Sequence, residues 1–449
     1  MSDTPSRLPL IFATLAAAWL LFLAAWGLGA WAVATNAWPW PQIQSLMGFV
    51  AGDKEEGTTL AEKVKNDFGW KPARHIVESQ REYVPPEGYG ELAGLPIRDR
   101  RQSPLLHLED AAPRGYRLLY GTFDFQDSLH GAVLLGPNGD IVRTWAVSQE
   151  DAEWAKRNDK NVFPHGLEIL PDGGLVVTFD GGSSISRYDW CGELEWRTKG
   201  LFHHSVSWDG ADTVWSWGTP DGTLKNGEFA VQLNVNDGSI IRGIHMDHVW
   251  PKNPDMDIFG IKQDDKPKGS TWLFDRWHVN DVEPLPAALA PAFPGFEAGD
   301  LLMSFRSINL VFVVDPDTLA VKWWRQGLVR RQHDPDWNTD GSISIFDNNM
   351  HRDYSRIFSI DPASFEATIP VDGADYDFYT WHRGKHQKLP NGGYLVTSTE
   401  QGRVFETDAD GTIVFEFINR YGDNGGQLAM SEARWLPTDF FKELPTCAD

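Results

Sequence analysis

Histidines recur just ahead of strand-like segments along this 449-residue chain. Five stretches carry the pattern: "HGLEILPDGGLVVTFD" from His165, "HHSVSWDGADTVWSW" from His203, "HVNDVEPL" from His278, "QHDPDWNTDGSISIFDN" from Gln332 and "HQKLPNGGYLVTSTE" from His386. An unperturbed imidazole titrates at about 6.5, so near neutrality it can attack an electrophile, move a proton or ligate a metal. A single histidine in a strand is more often a packing residue than any of these. Recurrence at one phase of a repeat changes that balance, because a repeat closed into a ring brings equivalent positions together around one axis. The candidates sharing that phase are His165, His204, His278, Asn280, Arg306 and His333. His203 competes with His204 for one position. His165 and His386 are expected to line or brace the site. Asp347 and Asn348 are expected to make turn hydrogen bonds.

The elements that must position these residues are short strands separated by polar turns. Six copies begin near Gly131, Gly174, Asp212, Asp300, Gly341 and Gly392. Most hold an apolar strand, a polar turn, a second strand and a turn such as "DWCG" or "DADG". Turn-rich strands at this spacing read as all-β structure, and six copies read as a six-bladed β-propeller. The strand that starts near each histidine should be innermost. The next strand returns to the same face, which brings the end of "LLMSFR" (Arg306) and the "DN" pair to the histidines. The segment "EARWLP" should close the ring by joining a blade begun near Tyr116. Of 21 tryptophans, Trp145, Trp196, Trp323 and Trp324 are expected between adjacent sheets.

The segments "FHHSVSWD", "WHVNDVEPL", "SFR", "RQHDPDWNTDGSISIFDN" and "GKHQKLPNGGYLVTSTEQGRVFETDADGTIVFEF" resemble the bacterial arylsulfotransferase family over about residues 115–440. The resemblance implies a six-bladed propeller that moves a sulfuryl group between phenols without the nucleotide sulfate donor, through a sulfated histidine. It implies His333 as the nucleophile, Arg306 as the sulfate-binding arginine, His278 and Asn280 as a substrate-binding pair and His204 as a further catalytic histidine. The chain is closer to a branch marked by "HVNDVEP" and "DWCG" than to the family's best-known enzymes. It departs from them in an insertion at 286–300 and in its N-terminus.

The expected activity is therefore PAPS-independent transfer from an aryl sulfate to a phenol. No cofactor and no metal are expected. Sulfuryl transfer, like phosphoryl transfer, asks the protein mainly to position groups and to stabilise charge on equatorial oxygens. Two other functions stay open: a non-catalytic, membrane-anchored propeller serving as a binding or scaffold subunit, and a metal-dependent hydrolase or lyase built on the histidines. Arg306 opposes the latter, since a guanidinium repels a cation.

The formal net charge of -23 argues against nucleic acid as a partner. The two cysteines, Cys191 and Cys447, have no metal-site spacing and could form one disulfide tying the C-terminal tail to the second repeat. Residues 8–34, "LPLIFATLAAAWLLFLAAWGLGAWAVA", are long and apolar enough to span a bilayer, with Trp38 and Trp40 as interface residues. A cleaved signal peptide is the rival reading. The expected organisation is a cytoplasmic N-terminus (1–7), a transmembrane helix (8–34), a stalk with a short helix (35–112) and the propeller (113–449). This puts the propeller on the periplasmic or extracytoplasmic side of the inner membrane. A membrane-protein partner and a homo-oligomer both remain compatible.

Overall fold

Strands with alternating or continuous apolar runs pair antiparallel with their sequence neighbours, and each four-strand set becomes one blade. The computed structural model describes residues 86–98, 101–125, 130–148, 163–180, 183–221, 228–259, 277–350, 352, 354–422 and 426–447, with Trp19, Leu28, Ile76 and Val77. The chain divides into one unit of residues 1–60 with 261–276 and a second of residues 61–260 with 277–449, which holds the propeller. The expected membrane span and the expected short helix of the stalk lie outside the described residues, apart from Trp19 and Leu28, which are helical. Among the described residues no helix is long and apolar enough to cross a membrane.

Six sheets make the propeller, as the repeat predicts. From inside outward, the second blade is Phe163–Ile169, Leu175–Asp180, Ser184–Tyr188 and Leu194–Lys199. The third is His203–Trp208, Thr213–Gly218, Phe229–Asn234 and Ile240–His245. The fourth is Val279–Pro284, Leu301–Phe305, Leu310–Val314 and Val321–Gln326. The fifth is His333–Trp337, Ile343–Asp347, Arg356–Ile360 and Ala367–Asp372. The sixth opens with Lys385–Lys388, Tyr394–Ser398, Arg403–Thr407 and Ile413–Ile418. The first blade closes the ring. Its innermost strand is the C-terminal Met430–Pro437, paired with Gly115–Thr122, which leads on to His130–Leu135 and Ile141–Val147. Innermost strands of neighbouring blades touch all the way round.

Two details differ from the sequence reading, and a third locates the insertion. Leu105–Leu108 and Gly90–Glu91, expected in the stalk, add two strands to the outer edge of the sixth blade. Trp324 is exposed, because alternation on its strand turns it away from the buried Trp323. The insertion at 286–300 follows the far end of the fourth blade's innermost strand, so it lies away from the histidines. There Phe293 and Phe296 pack on Trp337, with ring centroids 4.8 and 5.3 Å away.

Apolar side chains fill the space between sheets, and buried tryptophans stitch blade to blade. The Trp145 indole donates to Asp189 O of the second blade at 3.0 Å, and Trp196 donates to Val235 O of the third at 2.9 Å. Across the closing seam, the guanidinium of Arg117 holds the Glu406 carboxylate in a two-pronged pair, both contacts at 2.7 Å and fully buried. Cys191 and Cys447 are bonded, which fastens the tail to the second blade.

Candidate active site

A bulge interrupts the top of the innermost strand in five of the six blades: at Pro164/Leu167, His203/Val206, Val279/Asp281, His333/Pro335 and Met430/Glu432. Bulges twist a strand and re-aim its side chains. Three residues at these tops, His204, His278 and Asp334, have positive φ of 64°, 48° and 52°. Such backbone is uncommon outside glycine and concentrates at functional sites. Gly166 adds a close approach: a Cβ there would lie 2.3 Å from His204 O. Its absence lets the second and third blades converge.

The result is a histidine cluster centred on His204. Its ring lies 4.3 Å from His165, 5.2 Å from His278 and 6.4 Å from His333, between centroids. His203 approaches His204 through the two Nδ1 atoms, 2.5 Å apart, so one ring donates to the other. Of the two, His204 is the one surrounded by the other candidates. His165, expected as lining, stands directly beside it. Arg306 occupies the turn after Leu301–Phe305, where its backbone N–H donates to His278 O at 3.1 Å.

His333 is buried, and its environment fixes its tautomer. Nδ1 lies 2.6 Å from Asn348 Oδ1. The Asn348 amide nitrogen donates to Thr380 O at 2.8 Å and to Arg383 O at 2.7 Å, so its oxygen must be the atom facing His333. Nδ1 therefore carries the proton, and Nε2 carries the lone pair. Burial, then Arg306, then His165 and His278 hold this imidazole well below its ordinary pKa, against the hydrogen bond it donates to Asn348 Oδ1. That environment favours the neutral form of the ring. Asn348 thus does more than the turn bonding expected of it. Asp347 keeps to that expectation, accepting from Arg330 N and Asn349 N and pairing with Arg356.

Asn280 is buried behind the cluster. Its amide nitrogen donates to Gln332 O at 2.7 Å, while the Gln332 side chain donates to Ser304 Oγ, Phe305 O and Leu310 O. Asn280 consequently braces the backbone that carries His333. His386 is also structural: it is buried and bonded to Asp334 at 3.0 Å.

Below the histidines, the propeller axis is strongly acidic. Lys385 bridges Asp281 (3.0 Å) and Asp334 (2.6 Å). Burial raises the pKa of Glu283, Asp336 and Glu432, and the Asp334 carboxylate adds to each. Two groups among the described residues have cation-ligand spacing, Asp334–Asp336–His386 and Glu297–Asp300–Asp315. In each, a lysine ammonium already pairs with the carboxylates: Lys385 in the first and Lys322, 2.8 Å from Asp300, in the second. A surface cleft of about 600 Å³ near Asp172, Arg187, Trp208 and Lys442 opens at the opposite end and contains none of the histidines.

The sequence reading missed one pair on the histidine face. His382 and Glu400 lie in loops outside the repeat phase, with His382 Nδ1 2.9 Å from Glu400 Oε1. Eighteen residues separate them, and no spacing signal links them.

The sequence profile described as Arylsulfotransferase (ASST) matches residues 166–420, more than half of the chain and five of the six blades. No curated protein matches the chain significantly in sequence. Among solved structures it is similar to a protein of unknown function from Bacteroides caccae, at 11% identity and a TM-score of 0.46, covering 72% of this chain and 99% of that one. It is also similar to virginiamycin B lyase from Staphylococcus aureus, at 11% identity and a TM-score of 0.32, covering 56% and 69%. At these values neither likeness bears on the chemistry of this chain.

Proposed function

The chain belongs to the arylsulfotransferase family, and from that premise we propose that it is a PAPS-independent sulfotransferase working through a sulfohistidine. One observation carries the proposal. The His333–Asn348 hydrogen bond leaves a buried, neutral imidazole with its Nε2 lone pair available beside an arginine. An imidazole in that state is a competent nucleophile at pH 7.

In the first half-reaction Nε2 of His333 attacks sulfur, and the bond from sulfur to the aryl oxygen breaks. The electron pair leaves on that oxygen. Arg306 offers a planar fork to two sulfuryl oxygens, and its fixed charge stabilises the negative charge that develops there. His278, tied to Arg306 through the backbone, and His204, at the centre of the cluster, supply further donors. Asn280 holds the strand end that carries His333. In the second half-reaction a phenol oxygen attacks sulfur, the S–N bond breaks, and the pair returns to Nε2. No metal enters either step, because Arg306 provides the positive charge.

The proposal extends to location: residues 8–34 hold the propeller at the extracytoplasmic face of a membrane, which their uncharged apolar run supports. Mass spectrometry of the mature N-terminus tests this; a terminus between Trp31 and Ala37 would exclude an anchor. The activity is tested with an aryl sulfate donor and a phenol acceptor. The wild-type chain should transfer and label His333, and His333→Ala should do neither. A wild-type chain that binds but does not turn over would point to the binding-subunit reading instead.

A further inference from the structure

The loop that braces the nucleophile carries a second histidine with its own carboxylate. Residues 379–383 connect the fifth blade to the sixth. Thr380 O and Arg383 O are the acceptors that fix Asn348, so this loop is one side chain removed from His333. Within it, His382 Nδ1 faces Glu400 Oε1 at 2.9 Å. The other oxygen, Glu400 Oε2, accepts from Trp381 N at 2.7 Å and lies 3.0 Å from the Thr380 hydroxyl. A carboxylate only accepts, so Nδ1 of His382 carries the proton and Nε2 the lone pair. The Trp381 indole packs edge-on against the imidazole, 4.4 Å between centroids. The His382 side chain remains 36% exposed, against 20% for Glu400.

We propose that His382, oriented by Glu400, moves the proton of the phenol in both half-reactions, with Trp381 beside it as the wall for the aryl ring. This rests on the sulfotransferase reading and adds the acid–base group that reading lacks. When the S–O bond breaks, the His382 imidazolium gives its Nε2 proton to the leaving aryl oxygen and becomes neutral. When the acceptor attacks, its hydroxyl proton passes to Nε2 of His382 as the S–O bond forms and the S–N bond to His333 breaks. The imidazolium is regenerated, and the cycle balances. Glu400 stabilises that imidazolium. His204 instead sits among His165, His203, His278 and His333, where a further positive charge meets other imidazoles.

The electrostatics agree with a shared site. Arg306 acts on both His333 and His382. Desolvation, with Arg306 and Arg383, lowers the His382 pKa against the hydrogen bond and charge of Glu400. The charged groups facing His382 are thus Glu400 from the turn Thr399–Gln401, Arg306 from the fourth blade and Arg383 from its own loop.

The test separates donor cleavage from acceptor transfer. A nitrophenyl sulfate leaves as a stable phenolate and needs no acid, so His382→Ala should keep the burst of nitrophenolate. Its transfer to a weakly acidic phenol should fall by about 10²- to 10⁴-fold, and added imidazole should restore part of it. Glu400→Gln should show a smaller fall with the acid limb of the pH profile moved down. Transfer by His382→Ala at the wild-type rate, equal loss of burst and transfer, or the same split in His204→Ala would each overturn the assignment. Failure of the sulfotransferase reading looks different: the wild-type chain itself then gives no burst.

Discussion

Asn348 Oδ1 lies 2.6 Å from His333 Nδ1, and the amide presenting it is pinned by two carbonyls of the loop that leads into the sixth blade. A side chain from the end of one strand thus sets the tautomer of a residue at the start of its neighbour, using a third segment as the anchor. The arrangement resembles the logic of a triad, with a neutral amide in the place of a carboxylate.

That relationship predicts that Asn348→Ala lowers kcat by about 10²-fold, since a nucleophile in the wrong tautomer or orientation loses its near-attack geometry. Asn348→Asp should not rescue it. A carboxylate cannot donate to Thr380 O and Arg383 O, and its charge raises the His333 pKa so that the acid limb of the pH–rate profile moves up. An Asn348→Asp enzyme with wild-type activity at pH 6 would contradict the tautomer argument.

Arg306→Lys should reduce transfer severely, by about 10²-fold or more, because a point charge cannot reproduce a two-pronged fork. A chelator should leave the wild-type rate unchanged. Steady-state rates with and without EDTA check both; inhibition by chelator would favour a metal-dependent mechanism.

The bond between Cys191 and Cys447 spans 256 residues of sequence. Closing so long a loop restricts the unfolded chain, and the Cys191→Ser and Cys447→Ser double variant should lose about 2–5 kcal/mol of stability. Denaturant midpoints with and without reductant measure it. Because the bond lies with the outer turns of the second blade, donor cleavage at 25 °C should persist in folded protein.

The acidic axis predicts a stability profile that favours mildly acidic pH. Burial raises Asp281 to about 7 from 3.8, with Asp334 and Glu432 adding to it against Lys385. Glu283, Asp336 and Glu432 are raised as well. A carboxyl whose pKa is higher in the folded chain holds a proton that the unfolded chain has lost. Its contribution is full below about pH 4 and declines as pH rises toward 7. Asp334 behaves oppositely: Lys385 and His386 overcome its burial and lower its pKa, so its contribution is lost only in strong acid. The melting temperature should therefore fall between pH 5 and pH 8, by an amount on the order of a few kcal/mol in stability. Asp281→Asn should flatten the fall, as thermal melts at the two pH values would report.

Six blades, the closing pair of Tyr116 and "EARWLP" strands and the common phase of His165, His204, His278 and His333 were all legible in the sequence. Those features depend on local periodicity and on a repeat, and a ring converts equal phase into shared position. The roles of Asn348 and of the His382–Glu400 pair were not legible. An asparagine at a strand end reads as a turn former, and His382 lies outside the repeat; their partners are set by how loops from different blades pack after closure. The same holds for the bulges and positive φ at His204 and His278, for Trp324 facing outward, and for Gly90–Glu91 and Leu105–Leu108 joining the sixth blade. Each depends on which edge or loop is nearest in space, and only the closed tertiary structure decides that.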